Sequence, residues 1–246
     1  MKLVLLRHGE SEWNLENRFT GWEDVGLTER GQQEALFSAE QLIQHNLKIC
    51  TIYTSLLKRA IQTTDIIINK INFPKEEIRL DWRLNERHYG ALQGLNKSET
   101  AKKYGDEKVL LWRRSYDIPP PLLLNDDKRH PKFNKKFKDI DCELPLGESL
   151  KHVIERLSPF LDEYMNNIKN NPGDHLIVAH SNSLRAIIKI FDNLSEKEII
   201  SVNIPTGVPL VYSLDNNLNV IKKEYLIEKA KLKEKQNMVA NQGKAK

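Results

Sequence analysis

Short apolar runs that alternate with helical patterns constrain the fold of this 246-residue chain more than any other feature. Runs at residues 2–6, 49–54 and 175–179 have the length and composition of buried strands. Amphipathic helical patterns separate these runs, and this order of elements is typical of a parallel sheet between helices. We therefore predict an α/β fold, a three-layer sandwich in which helices flank a mostly parallel central sheet.

The ends of several elements can also be predicted. Thr28 is placed to cap a helix that ends near His45, and Ser55 to cap one that ends near Asn69. A capping-box pattern, Ser195 with Glu198, starts a helix at 195–200. The other predicted elements are a strand at 78–84, helices at 97–104, 147–168 and 182–190, and a hairpin of strands 210–214 and 218–221. Residues 115–145 include three consecutive prolines and no clear period, which is typical of a long loop at a functional surface.

Charge and composition narrow the classes of protein. The net charge is +4, but residues 222–246 hold eight lysines and three glutamates, so the rest of the chain is slightly acidic. A basic face for nucleic acid is therefore not expected. The apolar runs are too short to cross a membrane, and two cysteines are typical of a reducing compartment. We predict a cytoplasmic protein with one domain at 1–221 and a basic tail at 222–246.

Charged residues follow directly after two of the predicted strands. The first run ends in Arg7, His8 and Gly9, and the run at 175–179 ends in His180. Because the carboxyl ends of strands form the ligand-binding edge of an open α/β sheet, both imidazoles are expected at one site. An arginine, two histidines and the helix N-terminus beside His180 suit an anion or a phosphoryl group.

The sequence around these histidines resembles the cofactor-dependent phosphoglycerate mutases of the histidine phosphatase superfamily. The resemblance spans residues 2–213 and the ending 239–246. It rests on residues 7–14, 20–22, 84–90, 94–97 and 112–114, together with Arg59 and His180. It implies interconversion of 3-phosphoglycerate and 2-phosphoglycerate through a phosphohistidine on His8 and a 2,3-bisphosphoglycerate intermediate, without a metal.

The resemblance also assigns roles to residues and partners. It implies that Arg7, Arg59 and His180 surround the transferring phosphoryl group, and that Glu86 is the general acid and base. The substrate-binding residues that it implies are Ser11, Asn14, Thr20, Gly21, Arg59, Glu86, Arg87, His88, Tyr89, Lys97, Arg113, Arg114, Ser181 and Asn182. It further implies a small phosphorylated substrate, 2,3-bisphosphoglycerate as primer, a homodimer or homotetramer, and a tail that can close over the pocket.

Several of these residues also have structural interpretations. Arg59 could be an exposed helix residue, and His88 a surface or packing residue. Glu86 could form a salt bridge with Arg83 or Arg87, and the pair Arg113 and Arg114 could be solvated. Ser181 departs from the family's usual glycine, and a positive φ at this position would cost about 1 kcal/mol or more. A phosphatase or bisphosphoglycerate mutase with the same site, and a phospho-ligand binding protein without catalysis, stay open as alternatives.

Overall fold

The computed structural model describes residues 1–171 and 173–242. The strands in these ranges are β1 (Lys2–Arg7), β2 (Ile49–Thr54), β3 (Ile78–Leu80), β4 (Asp174–Ala179), β5 (Leu210–Leu214) and β6 (Val220–Tyr225). The helices are α1 (Glu12–Leu15), α2 (Glu29–Gln44), α3 (Lys58–Ile71), α4 (Lys97–Tyr104), α5 (Asp106–Arg114), α6 (Leu150–Lys169), α7 (Ser181–Phe191), α8 (Glu198–Ser201) and α9 (Lys229–Asn241).

These strands form one sheet in the order β3-β2-β4-β1-β5-β6. Strands β3, β2, β4 and β1 pair in parallel, whereas β5 pairs antiparallel with both β1 and β6. The predicted α/β sandwich is confirmed, but the sheet is mixed rather than mostly parallel. The predicted hairpin at residues 210–221 accounts for the antiparallel pairing of β5 with β6, because a short turn can join only antiparallel strands. The antiparallel pairing of β5 with β1 was not predicted.

Alternate residues of β1 face two hydrophobic cores. Leu3 and Leu5 belong to the core that includes residues of α6 and α7. Val4 and Leu6 belong to the core that includes residues of α2 and α3. Since successive side chains of a strand point to opposite faces, this alternation places one layer of helices on each side of the sheet.

The structure confirms some predicted boundaries and corrects others. The hydroxyl of Thr28 caps α2, and Ser195 and Glu198 exchange both hydrogen bonds of the capping box. The helix predicted to start at Ser195, however, begins only at Glu198 as α8. The prediction that Ser55 caps the next helix is wrong, because α3 begins only at Lys58 with Leu57 as its N-cap. The Ser55 hydroxyl accepts from the backbone N–H of Leu57 at 3.2 Å and bonds the ring of His180. The predicted strand at 78–84 ends at Leu80, where a capped 3₁₀ turn, Trp82–Leu84, takes over. Helix α5 was not predicted.

The long connection and the tail frame the site described below. Between α5 and α6 the chain forms only two short 3₁₀ helices, Pro131–Phe133 and Lys135–Phe137. The second strand of the hairpin extends to Tyr225, and α9 follows it. Residues 243–246 of the predicted tail lie outside the described residues. None of the described helices combines the length and the apolar character needed to span a bilayer.

Candidate active site

Neighbouring strands β1 and β4 bring two histidines to the same edge of the sheet. Arg7 is in register with Ala179, and the backbone N–H of His8 donates to the carbonyl oxygen of Ala179 at 3.0 Å. The ring centroids of His8 and His180 lie 4.9 Å apart, with their planes inclined at 57°. The two residues are 2% and 0% exposed. Their rings are therefore close enough to contact one small group together.

Hydrogen bonds determine which nitrogen of His8 is free to react. Its Nδ1 lies 2.7 Å from the carbonyl oxygen of Gly9, which can only accept, so Nδ1 carries the proton. Nε2 is then unprotonated, and it accepts a hydrogen bond from Nε of Arg59 at 3.3 Å. Burial, and then the charges of Arg59 and Arg7, lowers the pKa of His8 well below its ordinary value. His8 is therefore a neutral imidazole at neutral pH, and Nε2, which Arg59 contacts, is the ring nitrogen without a proton and so the candidate nucleophile.

His180 is held by the serine that was expected to cap a helix. The Ser55 hydroxyl lies 2.7 Å from Nε2 of His180. Nδ1 of His180 is buried and has no hydrogen-bond partner in the described part of the chain. Burial, followed by the charge of Arg59 and by His8, lowers the pKa of His180 well below its ordinary value. The ring is thus neutral, and Nδ1 can bond an oxygen of a bound group.

Two buried arginines stand beside the histidines. Arg59 is 1% exposed, so its interpretation as an exposed helix residue is wrong. Its two terminal nitrogens donate to the carbonyl oxygens of Gly21 and Glu23 at 2.8 and 2.9 Å, which directs Nε toward His8. Burial lowers the pKa of Arg59 to about 10, so the guanidinium stays charged at neutral pH. Arg7 donates from Nη1 to the carbonyl oxygen of Ile204 at 2.8 Å.

A cavity opens next to this cluster. The described residues that line it include six cationic side chains and one carboxylate, namely Arg7, Arg18, Lys97, Arg113, Arg114 and Arg185 against Glu86. The other lining residues are Asn14, Thr20, Gly21, Tyr89, Ser181, Asn182, Val239 and Gln242. His8, Arg59 and His180 lie below the accessible surface, directly next to Arg7, Gly21 and Ser181 of the lining. This excess of positive charge suits a ligand that carries several negative charges.

Three further cations of the lining, Lys97, Arg113 and Arg114, are buried rather than solvated. Arg113 and Arg114 are 8% and 9% exposed, and Nη2 of Arg114 donates to Oδ1 of Asn203 at 2.7 Å. Burial, and then the charges of Arg113 and Arg7, lowers the pKa of Lys97 well below its ordinary value. An anion in the cavity would relieve this repulsion and favour the charged form of Lys97. The interpretation of Arg113 and Arg114 as a solvated pair is therefore wrong.

Glu86 is held through one oxygen. Its Oε1 accepts hydrogen bonds from the backbone N–H of Arg87 at 2.8 Å, and from the backbone and side-chain nitrogens of Asn182 at 3.0 Å each. The alternative of a side-chain salt bridge is wrong for both candidates. Arg83 pairs with Asp81 and Glu163, and the Arg87 guanidinium lies 4.6 Å from the ring centre of Tyr89. The Glu86 carboxyl therefore stays available to the cavity.

Besides Arg59, three residues of the predicted binding set do not line the cavity. Ser11 is fully buried and caps α1 by exchanging hydrogen bonds with Asn14. Arg87 is fully buried behind Tyr89 and donates to the carbonyl oxygen of Arg113. His88 is also fully buried, and its ring lies 5.9 Å from that of Trp22. Because each side chain bonds or packs away from the cavity, these residues hold other parts of the site in place.

Sequence reasoning missed several lining residues, of which Arg185 is the most deeply buried. It lies three residues after Asn182 in α7, so the two share one helix face, and this spacing was the available signal. Ser181 is the first residue of α7 and is not among the described residues with positive φ. The strain considered for this serine therefore does not arise. No group of three or more histidine, cysteine or acidic side chains within the described ranges could hold a metal ion.

Comparisons with known proteins agree with this geometry. The family model of the histidine phosphatase superfamily (branch 1) matches residues 3–126 and 123–224. A 2,3-bisphosphoglycerate-dependent phosphoglycerate mutase from Treponema denticola is 51% identical over 247 residues, which cover 100% of both chains.

Solved structures with a similar fold include two phosphatases. The mycobacterial glucosyl-3-phosphoglycerate phosphatase superposes with a TM-score of 0.67 at 23% identity, over 86% of this chain and 92% of that one. The alpha-ribazole phosphatase from Shigella flexneri gives a TM-score of 0.65 at 17% identity, over 90% of this chain and 95% of that one. At these identities the two structures establish the shared fold alone.

Proposed function

The chain belongs to the histidine phosphatase superfamily and, within it, to the 2,3-bisphosphoglycerate-dependent phosphoglycerate mutases, and from this premise we propose that it interconverts 3-phosphoglycerate and 2-phosphoglycerate. The reaction proceeds through a phosphohistidine on His8 and a 2,3-bisphosphoglycerate intermediate. One observation carries the proposal: two neutral imidazoles 4.9 Å apart adjoin a cavity whose lining is rich in cations and includes a carboxyl group.

The proposed chemistry follows from the state of each side chain. The Nε2 lone pair of His8 attacks phosphorus, so that an N–P bond forms while the P–O bond to the substrate breaks. The leaving oxygen takes a proton from Glu86. In the return transfer, the free hydroxyl of a monophosphoglycerate attacks the phosphorus on His8 while Glu86 accepts the hydroxyl proton and the N–P bond breaks, which forms 2,3-bisphosphoglycerate. Attack of His8 on the phosphorus of the neighbouring carbon then releases the isomer. Arg7, Arg59 and His180 stabilise the oxygens of the transferring group.

The remaining cavity residues hold the parts of the substrate that do not react. Lys97, Arg113 and Arg114 would bind the carboxylate and the second phosphate, because a planar guanidinium can meet two oxygens at once. Asn14, Thr20, Gly21, Tyr89 and Asn182 would supply further hydrogen bonds. The repulsion among the buried cations supports the binding of a ligand with several negative charges, as 2,3-bisphosphoglycerate is.

The end of α9, which lies at the cavity, favours transfer of the phosphoryl group between oxygens of the sugar acid rather than its hydrolysis. Val239 and Gln242, at the end of α9, belong to the lining and would restrict the entry of water. A phosphatase would need water at the same phosphorus. The non-catalytic alternative rested on Ser181 alone, and the helical conformation of this residue removes that support.

The proposal includes the remaining expectations from the sequence. It comprises a catalytic domain at residues 1–221, a tail at 222–246 that closes over the site, and a homodimer or homotetramer in the cytoplasm. The substrate is a small phosphorylated acid, and neither nucleic acid, membrane nor metal takes part.

The decisive experiment is a phosphohistidine assay. The protein is treated with EDTA and incubated with radiolabelled 2,3-bisphosphoglycerate. We expect an acid-labile label in the wild type, none in His8→Ala, and an unchanged label in His45→Ala, which alters an exposed histidine far along the chain. Mutase turnover should persist in EDTA. A lack of acid-labile label, or complete dependence on added manganese, would overturn the proposal.

A further inference from the structure

A buried arginine beside the cavity has no part in the chemistry described so far. Arg185 is 1% exposed and lies in α7. Its Nη1 donates to Oδ1 of Asn182 at 2.9 Å, and its Nη2 donates to the carbonyl oxygen of Ile199 at 2.7 Å. Burial, together with the charges of Arg114 and Arg87, lowers the pKa of Arg185 to about 9, so the group is charged at neutral pH. Arg185 is therefore a fixed cation with two defined acceptors.

The amide of Asn182 is held from both ends. Because Oδ1 accepts from Arg185, the NH₂ group must face the opposite way. There Nδ2 donates to Oε1 of Glu86 at 3.0 Å and to the Tyr89 hydroxyl at 3.2 Å. A side-chain amide is nearly symmetric in shape, so only its hydrogen bonds decide its orientation. If it turned over, Oδ1 would face Oε1, and two acceptors would repel each other unless Glu86 were protonated on that oxygen.

The two oxygens of Glu86 consequently have different environments. Oε1 accepts from three N–H donors, which favour an unprotonated oxygen. Oε2 has no hydrogen-bond partner in the described ranges that would compete for a proton. This asymmetry leaves Oε2 as the atom that exchanges a proton with the substrate. The orientation of the Asn182 amide maintains the asymmetry.

We infer that Arg185 is a positioning residue for proton transfer by Glu86, acting through the amide of Asn182. It fixes the amide so that Nδ2 faces Oε1 and the proton resides on Oε2. This inference rests on the proposed function, because it concerns the proton that the substrate oxygen receives when it leaves phosphorus. It predicts that loss of Arg185 slows only those transfers that need this proton.

Two phosphoryl donors separate the effect on proton transfer from general damage to the site. The alkoxide that leaves from 2,3-bisphosphoglycerate needs a proton, whereas 4-nitrophenyl phosphate releases a stable phenolate without one. Phosphorylation of His8 by each donor is measured in single turnovers at saturating concentration. In Arg185→Met we expect a loss of about 10- to 100-fold with 2,3-bisphosphoglycerate and less than about threefold with 4-nitrophenyl phosphate. Arg185→Lys, which keeps the charge but can reach only one acceptor, should lie between the wild type and Arg185→Met.

A double-mutant cycle tests the route through Asn182. In an Asn182→Ala background, Arg185→Met should add less than about twofold, because the amide that it positions is absent. Equal losses with both donors, or full additivity with Asn182→Ala, would overturn the inference. If circular dichroism shows that Arg185→Met does not fold, Arg185→Lys decides alone. The quantity compared is the rate with 2,3-bisphosphoglycerate divided by the rate with 4-nitrophenyl phosphate. An unchanged ratio overturns the inference, and a lower ratio supports it. Wild-type protein that reacts with 4-nitrophenyl phosphate but not with 2,3-bisphosphoglycerate would instead refute the proposed function, and the inference with it.

Discussion

Protonation of His88 on unfolding should make this protein lose stability as the pH falls below neutral. The residue is fully buried, its Nδ1 accepts a hydrogen bond from the backbone N–H of Gly90 at 3.1 Å, and its ring packs against Trp22. Burial, with smaller contributions from nearby positive charges, lowers the pKa of His88 to about 3. Sequence resemblance had placed this histidine in the substrate site, whereas its surroundings indicate a structural role.

The sign and size of the effect follow from proton linkage. The folded protein keeps His88 neutral down to about pH 3, whereas the unfolded chain protonates it below about pH 6.5. Because the unfolded state binds more protons in this window, stability is fully present above pH 6.5 and is lost as the pH falls. At about pH 4.5, two pH units below the unfolded value, His88 should cost about 3 kcal/mol relative to neutral pH. That is a large part of the roughly 5–15 kcal/mol of a typical domain.

A comparison of wild type with His88→Asn isolates the contribution of His88 to the pH dependence of stability. The asparagine oxygen can accept the Gly90 hydrogen bond, but the side chain does not titrate. Lost packing against Trp22 lowers the stability of the variant at every pH, and it cancels in the difference between two pH values. Between about pH 7.5 and 4.5 the free energy of unfolding, measured with urea, should fall by about 3 kcal/mol more in wild type than in the variant.

A matched control and a refuting result complete the test. His45 is exposed at the end of α2, so His45→Asn should give a curve parallel to that of wild type. If His88→Asn were also parallel to wild type over the whole range, the buried neutral state assigned to His88 would be refuted. A loss of mutase turnover in His88→Asn beyond about tenfold would contradict its structural role.

Three other changes test residues that line the cavity or hold α9 beside it. Ser181→Gly should alter mutase turnover by less than about threefold, because the serine begins a helix and relieves no left-handed strain when it is removed; a large gain in steady-state kcat would contradict this. Truncation before Val239 removes two lining residues. The release of inorganic phosphate from 2,3-bisphosphoglycerate should therefore rise severalfold relative to mutase turnover. An unchanged ratio of the two rates would argue against a role for the tail in excluding water. Lys235→Met, which breaks the 3.0 Å ion pair between α9 and Glu34, should change that ratio in the same direction by a smaller amount.

The sequence predicted the parts of the site that depend on local pattern. Leu3 to Leu6 alternate between two cores, and this apolar run with its charged ending was enough to place His8 at a strand end. The same reasoning placed His180, and the two rings lie together because β1 and β4 are neighbours. Strand ends are good predictors here because backbone direction alone fixes the edge of the sheet at which they lie.

Polar contacts between distant segments could not be predicted in this way. Ser55 has the position of a helix cap in sequence, but its hydroxyl bonds an imidazole 125 residues away. Arg185 looks like one of many helical arginines until its contact with Asn182 is seen. Helix α5 was missed because Gly105, at a φ of 89°, separates it from α4 within a polar stretch that has a weak apolar pattern. In each case the outcome depends on tertiary packing that single-residue preferences do not encode.

The electrostatics of the cavity connect ligand binding to the stability of the fold. The described lining residues bring six cations around one carboxylate, and burial lowers the pKa values of Arg7, Lys97 and Arg113. Cations that are desolvated and close to one another oppose folding, so the surrounding hydrophobic cores and carbonyl contacts must hold them in place. An anion that enters the cavity removes part of this repulsion and therefore binds the folded state selectively. In the proposed reaction, the same preorganised charge would stabilise the transferring phosphoryl group, because the arginines need no rearrangement when negative charge develops on its oxygens.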